Sequence, residues 1–123
     1  MSSKVHERPR VVLVSRSFVV REDGRTLIIK RSTSDTMNAG LWECPGGKLD
    51  IGQDLTNAHE REVLEETGLV VEPSRMYTRS TFVIGQGKYK GLAYVAFFSV
   101  NKLLGGELRL SNEHTDYAWV TYR

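Results

Sequence analysis

In this chain of 123 residues a single stretch has the composition of a long helix, and that limits what the rest can build. Residues 55–67 are drawn mainly from Leu, Ala, Glu and Arg, with Asp54 before them as an N-cap and Gly68 where a helix ordinarily ends. Around it the pattern is that of strands. Residues 11–20 are rich in β-branched side chains, Glu22-Asp23-Gly24 supplies a turn, and 26–30 resume an apolar strand pattern, so the chain opens on a hairpin. The polar stretch 31–40 reads as a loop, followed by a short strand at 41–44 and a turn at Pro45-Gly46-Gly47. After the helix, strands are expected at 69–71, 76–84, 92–100, 107–110 and 117–121, interrupted by Gly85-Gln86-Gly87 and Gly105-Gly106. The expected class is α+β, one domain spanning 1–123 in which a long helix is inserted into a sheet.

The helix carries Glu62, Glu65 and Glu66. Each helical residue turns about 100°, so positions i, i+3 and i+4 share a face and the three carboxylates are gathered together. Like charges four residues apart destabilise a helix by a few tenths of a kcal/mol, and only Glu65 has a cation, Arg61, at that spacing. On these glutamates alone a solvated helix face is the simpler reading. A hard cation such as Mg²⁺ or Mn²⁺, which prefers carboxylate and carbonyl oxygens, would make the same cluster favourable. The glycine-rich segment Pro45-Gly46-Gly47-Lys48 directly upstream shifts the balance, because glycine lets backbone approach a ligand and helix N-termini favour phosphate. Together, cluster and glycine segment point to a metal-assisted site for a phosphorylated small molecule.

Other classes fall away. A formal charge of +2 is too small to argue for nucleic acid through long-range electrostatics, and Lys4, Arg8 and Arg10 read as a solvated tail. No apolar run is long enough to span a membrane and no signal-peptide pattern opens the chain, so a cytoplasmic location is expected. Cys44, the only cysteine, excludes an intrachain disulfide and reads as a small core residue rather than a catalytic thiol.

At this point the residues resemble the Nudix hydrolase family. Its signature is Gly, five residues, Glu, seven residues, then Arg-Glu-apolar-x-Glu-Glu-x-Gly-apolar. Gly47, Arg61, Glu62, Val63, Glu65, Glu66, Gly68 and Leu69 all fall at signature positions, and Leu41-Trp42-Glu43-Cys44-Pro45 is similar to the family's usual approach to it. The resemblance implies an αβα sandwich around a mixed sheet, hydrolysis of a nucleoside diphosphate linked to a further moiety, and Mg²⁺ or Mn²⁺ as cofactor. It implies Glu62, Glu65 and Glu66 as metal ligands, with the Gly47 carbonyl joining them. Arg61 would orient a glutamate, Glu62 would assist the attacking water, and Glu113 would bring a further carboxylate from the loop before the last strand. Substrate contacts would come from Asn38 in the loop 34–38, Gly46, Lys48, Trp42 and Tyr89. Trp42 also reads as a half-buried core residue, and Lys88 and Lys90 as a solvated hairpin edge. His59, in the variable interior of the signature, and His114 are assigned no catalytic role.

Two features depart from the family pattern. Gln53 stands where the signature has its first Glu: an amide keeps the shape but loses the charge, so it cannot act as a base and ligates a hard cation more weakly. Reduced turnover, or a nucleotide-binding or sensing module, is the alternative this raises. The sequence also ends at Arg123, where the family usually continues into a further helix that closes the sandwich, so an apolar face short of cover and self-association, most simply a homodimer, are expected.

Overall fold

The computed structural model describes residues 11–34, 39–49, 55–87 and 89–121. Eight elements follow one another: β1 (Val11–Val20), β2 (Thr26–Arg31), β3 (Trp42–Glu43), β4 (Gly46–Lys48), α1 (Leu55–Thr67), β5 (Leu69–Val83), β6 (Ala93–Gly106) and β7 (His114–Val120). The strands form one seven-stranded sheet in which β3-β2-β1-β6-β5 are neighbours, β4 pairs with β1, and β7 with β2. β1 and β6 run parallel and the other pairings are antiparallel, so the sheet is mixed, as expected. Among the described residues α1 is the one helix, and none is long and apolar enough to cross a membrane.

The site is shaped where β1 and β2 part. The hairpin between them holds one ladder pair, Val20 with Thr26, and β2 then pairs with β7 and β3. The edge of β1 left open is taken by β4, with Val14, Ser15 and Arg16 opposite Lys48, Gly47 and Gly46. Pro45-Gly46-Gly47 is therefore strand as well as bend. Ser17 N donates to Pro45 O (2.8 Å) and Leu49 N to Leu13 O (2.8 Å), fastening both ends. A Cβ on Gly46 would lie 1.9 Å from Ser15 O, so only glycine lets the two strands come this close.

Period-two alternation sends β1 side chains to two faces. Ser15, Ser17 and Val19 lie on the face against α1, where Val19, Leu27, Ile29, Val63, Leu69 and Val71 form one core cluster. Val12 and Val14 point the other way and join Ile84, with Tyr89, Leu92 and Tyr94 around them. α1 covers the first face and ends at Gly68, whose φ of 76° suits glycine at a helix C-terminus. Its last carbonyls are capped from downstream: Arg109 N donates to Thr67 O (2.7 Å) and Ser111 N to Glu66 O (3.0 Å).

The helix and β1 have the expected bounds, while several strands differ. The two strands expected at 69–71 and 76–84 are one, β5, which bends through register shifts at 70/71, 73/75 and 78/80 rather than breaking. β6 runs on through Gly105 and Gly106, which pair with Val70 and Leu69. Residues 107–110 form no strand; Leu108 and Leu110 pack on the first cluster while the N–H groups of Arg109 and Ser111 serve the helix end. β7 begins at His114 rather than 117, and β3 is only Trp42–Glu43. Between β5 and β6, Ile84 N donates to Leu92 O (3.0 Å) and Gly91 N to Ile84 O (2.8 Å), so the two ends of the connection bond each other.

Candidate active site

One cavity of about 590 Å³ gathers most of the residues singled out from the sequence. Gly46, Gly47 and Lys48 of β4, Glu62, Glu65 and Glu66 of α1, Tyr89 and Glu113 all line it. Its apolar side is Val12, Val14, Ile84 and Tyr94, and its floor carries Arg16 and Arg31. Trp42 is not among the lining residues. Alternation along the two-residue β3 turns Glu43 inward and leaves Trp42 44% exposed at the sheet edge. Asn38, Gln53 and Lys88 lie outside the described residues.

The carboxylates differ in setting. Glu66 is buried, and its Oε1 accepts the Gly46 N–H at 2.7 Å. Burial raises its carboxyl from 4.5 to about 7, against the pull of that hydrogen bond and of His114. Glu62 lies against the backbone of Gly47, where a Cβ would come within 2.8 Å of Glu62 Oε2. Its pKa is also raised, by burial first and then by repulsion from Glu65, with Glu113 adding to it. Glu65 is exposed, with its Oε1 3.9 Å from Arg61 Nε, the one pairing the helix spacing allowed. Arg61 Nη2 is buried without a hydrogen-bond partner. Among the described residues no three His, Cys, Asp or Glu side chains converge as a ready-made metal cluster.

Beneath the glutamates lies a network that no local pattern announces. Glu43 Oε2 meets Arg31 Nη1 at 3.0 Å and His114 Nε2 at 2.9 Å, while Oε1 lies 3.5 Å from Arg16 Nη1. Burial alone would raise the Glu43 carboxyl, but His114 and the two guanidiniums outweigh it and hold it below the usual range. Arg16, Arg31 and Glu43 were missed because their partners are far apart in sequence. Arg16 alone had a signal, its period-two spacing from Val12 and Val14. Cys44 is partly buried with its thiol pushed up by burial, which suits a packing role. His59 is buried, bonds Ser17 Oγ at 3.0 Å, and does not line the cavity.

The helix behind a glycine strand, presenting carboxylates to one cavity on a mixed sheet, defines a class that comparison with known proteins makes specific. A family model described as the NUDIX domain matches residues 10–123. The chain is 38% identical over 105 residues to a MutT-like protein of Streptomyces ambofaciens, covering 84% of this chain and 59% of that relative's length. It is 27% identical over 110 residues to the nucleoside triphosphatase NudI of Escherichia coli, covering 83% and 77%. Among solved structures, the MutT protein from Methanosarcina mazei superposes with a TM-score of 0.79 at 27% identity, over 93% of this chain and 79% of that one. The chain belongs to the NUDIX domain family.

Proposed function

We propose that this chain, as one domain, hydrolyses the diphosphate linkage of a nucleoside diphosphate derivative, such as a nucleoside triphosphate. The products are a nucleoside monophosphate and pyrophosphate or a phosphorylated moiety. The observation that carries this reading is that Glu62, Glu65 and Glu66 of α1 line one cavity with Gly46, Gly47 and Lys48 of β4, Gly46 N–H donating to Glu66. The relatives' names, a MutT-like protein and a nucleoside triphosphatase, point the same way.

The donor set fits a hard divalent cation, Mg²⁺ or Mn²⁺: it offers carboxylates and a backbone carbonyl, and Glu62 and Glu66 carry raised pKa values that a nearby positive charge would relieve. Glu62, Glu65, Glu66, the Gly47 carbonyl and Glu113, all at residues that line the cavity, would hold it. When bound, such an ion supplies Lewis-acid polarisation and neutralises developing phosphate charge. Glu62 takes the proton as a water oxygen bonds to phosphorus, and the bridging P–O bond breaks with its electron pair leaving on the departing phosphate. Arg61 orients Glu65. Gly46 and Lys48 face the phosphates, and Tyr89, whose ring lies 4.3 Å from Lys48 Nζ, borders the nucleoside end. A cytoplasmic location, where nucleotides are abundant, fits this role.

The decisive experiment is product release from a panel of nucleoside triphosphates, ADP-ribose and dinucleoside polyphosphates, with and without Mg²⁺. Cation-dependent cleavage that Glu66→Gln abolishes is expected; no cleavage of any of them overturns the hydrolase reading. Gln53 favours a second reading, a nucleotide-binding module with little turnover. Binding without product in the native chain, with cleavage gained in Gln53→Glu, would establish it. Self-association belongs to the same proposal, with Val70, Val83 and Leu104 exposed on the sheet and Leu41 exposed just before β3. Sedimentation equilibrium is expected to give a mass that rises with concentration; a constant monomer mass rules it out.

A further inference from the structure

Arg16 is a cation set in an otherwise apolar stretch of the cavity. It lies on the face of β1 that carries Val12 and Val14, beside Gly46 of β4 on one side and Phe98 of β6 on the other. It therefore stands at the seam between the Val12, Val14, Ile84 and Tyr94 wall and the carboxylate and glycine wall. Its side chain is 17% exposed, so its charge acts in a partly desolvated setting where an ionic hydrogen bond counts for more than in water.

Two carboxylates act on it, Glu43 at close range and Glu62 from across the cavity. Glu43 gives its short contacts to Arg31 (3.0 Å) and His114 (2.9 Å), both on Oε2, and reaches Arg16 only at 3.5 Å through Oε1. The Arg16 Nη1 hydrogen bond at 3.2 Å goes to a neutral acceptor, the Cys44 carbonyl. One carboxylate is thus divided among two guanidiniums and an imidazole, and Arg16 has the smallest share. That one nitrogen holds both contacts fixes the planar head against the floor, and a planar fork so held is suited to a phosphate.

We propose that Arg16 is a specificity-determining residue that binds the phosphate joined directly to the nucleoside, so that the site takes nucleoside 5′-phosphates in preference to unphosphorylated nucleosides. The proposal rests on the nucleotide reading above, which puts the nucleoside against the apolar wall and the remaining phosphates at the glutamates. A group spanning the two must pass Arg16.

The test is calorimetric binding, in Mg²⁺, of the four ribonucleoside 5′-monophosphates and their parent nucleosides to the native chain, Arg16→Met and Arg16→Lys. Methionine keeps much of the volume, and Glu43 keeps Arg31 and His114, so the variant is expected to fold; thermal melting checks it. The native chain should prefer the monophosphates, Arg16→Met should weaken them roughly 10- to 100-fold while leaving the nucleosides unchanged, and Arg16→Lys should restore part of the preference. A native chain with no preference for the phosphate, or an Arg16→Met variant that keeps the preference or weakens both ligand sets equally, overturns the proposal. The hydrolase reading fails separately: a phosphate preference lost in Arg16→Met without cleavage of any substrate leaves this inference standing. Cleavage by Arg16→Met at an unchanged KM does the reverse.

Discussion

Glu66 is 6% exposed, accepts one backbone N–H, and has its carboxyl raised to about 7. In cation-free buffer the folded chain keeps a proton there that the unfolded chain, titrating near 4.5, has already released. The Glu66 contribution to stability is therefore expected to fall as pH rises from 4.5 to about 7. Glu66→Gln keeps an acceptor for Gly46 and removes the charge, so urea midpoints across that window should flatten, while hydrolysis drops roughly 100-fold or more. The adjacent glycines should separate fold from chemistry. Gly46→Ala drives a Cβ into the Ser15 carbonyl and should cost about 3 kcal/mol or more. Gly47→Ala meets only the movable end of Glu62, so denaturation should find stability nearly unchanged while activity falls.

At the scale of elements, the buried pair of His59 and Ser17 joins α1 to β1. Ser17 Oγ also lies 3.5 Å from Ser99 Oγ, which accepts from Asn101 Nδ2 at 2.8 Å. Burial lowers the His59 pKa below 6.5, so the folded state resists a proton that the unfolded state accepts. The stability this residue gives at neutral pH is lost as pH falls below 6.5 toward the lowered value. Glutamine can keep a hydrogen bond to Ser17 without titrating, so as pH falls from about 7 to about 5.5 the urea midpoint of His59→Gln should move toward higher urea relative to that of the native chain. How far elements were legible follows from where their order comes from. α1 was readable to its ends because helix signals are local: a propensity-rich run and Gly68 at its close. β5 was not, because Pro73 and Ser74 look like a break, yet an edge strand tolerates proline and fourteen residues of β6 hold the ribbon together. Gly46-Gly47 looked like a turn for the same reason: pairing with β1 is a tertiary fact. The glutamates of the site were legible by spacing, whereas Arg31, Glu43 and His114 meet only after folding.

Across the whole molecule, the raised pKa values of Glu62 and Glu66 mean that the fold is built around charges it does not itself neutralise. Anything that binds the folded state alone stabilises it, by about 2.7 kcal/mol at a concentration one hundred times its dissociation constant. Mg²⁺ at that concentration is therefore expected to raise Tm by roughly 10 °C in calorimetry, and Glu66→Gln to lose most of that rise. The carboxylates and glycines sit on α1 and β4, which are fastened to β1. The far wall includes Ile84, whose backbone bonds Gly91 and Leu92, and Tyr89, which reaches across to Lys48. The carboxylates and glycines on one side and Ile84 and Tyr89 on the other are thus held by parts that share no ladder pair, with Arg16 of β1 between them. Replacing the connection between Val83 and Ala93 is therefore expected to alter which nucleotides bind, read by calorimetry, while leaving the contact of Glu66 with Gly46 in place.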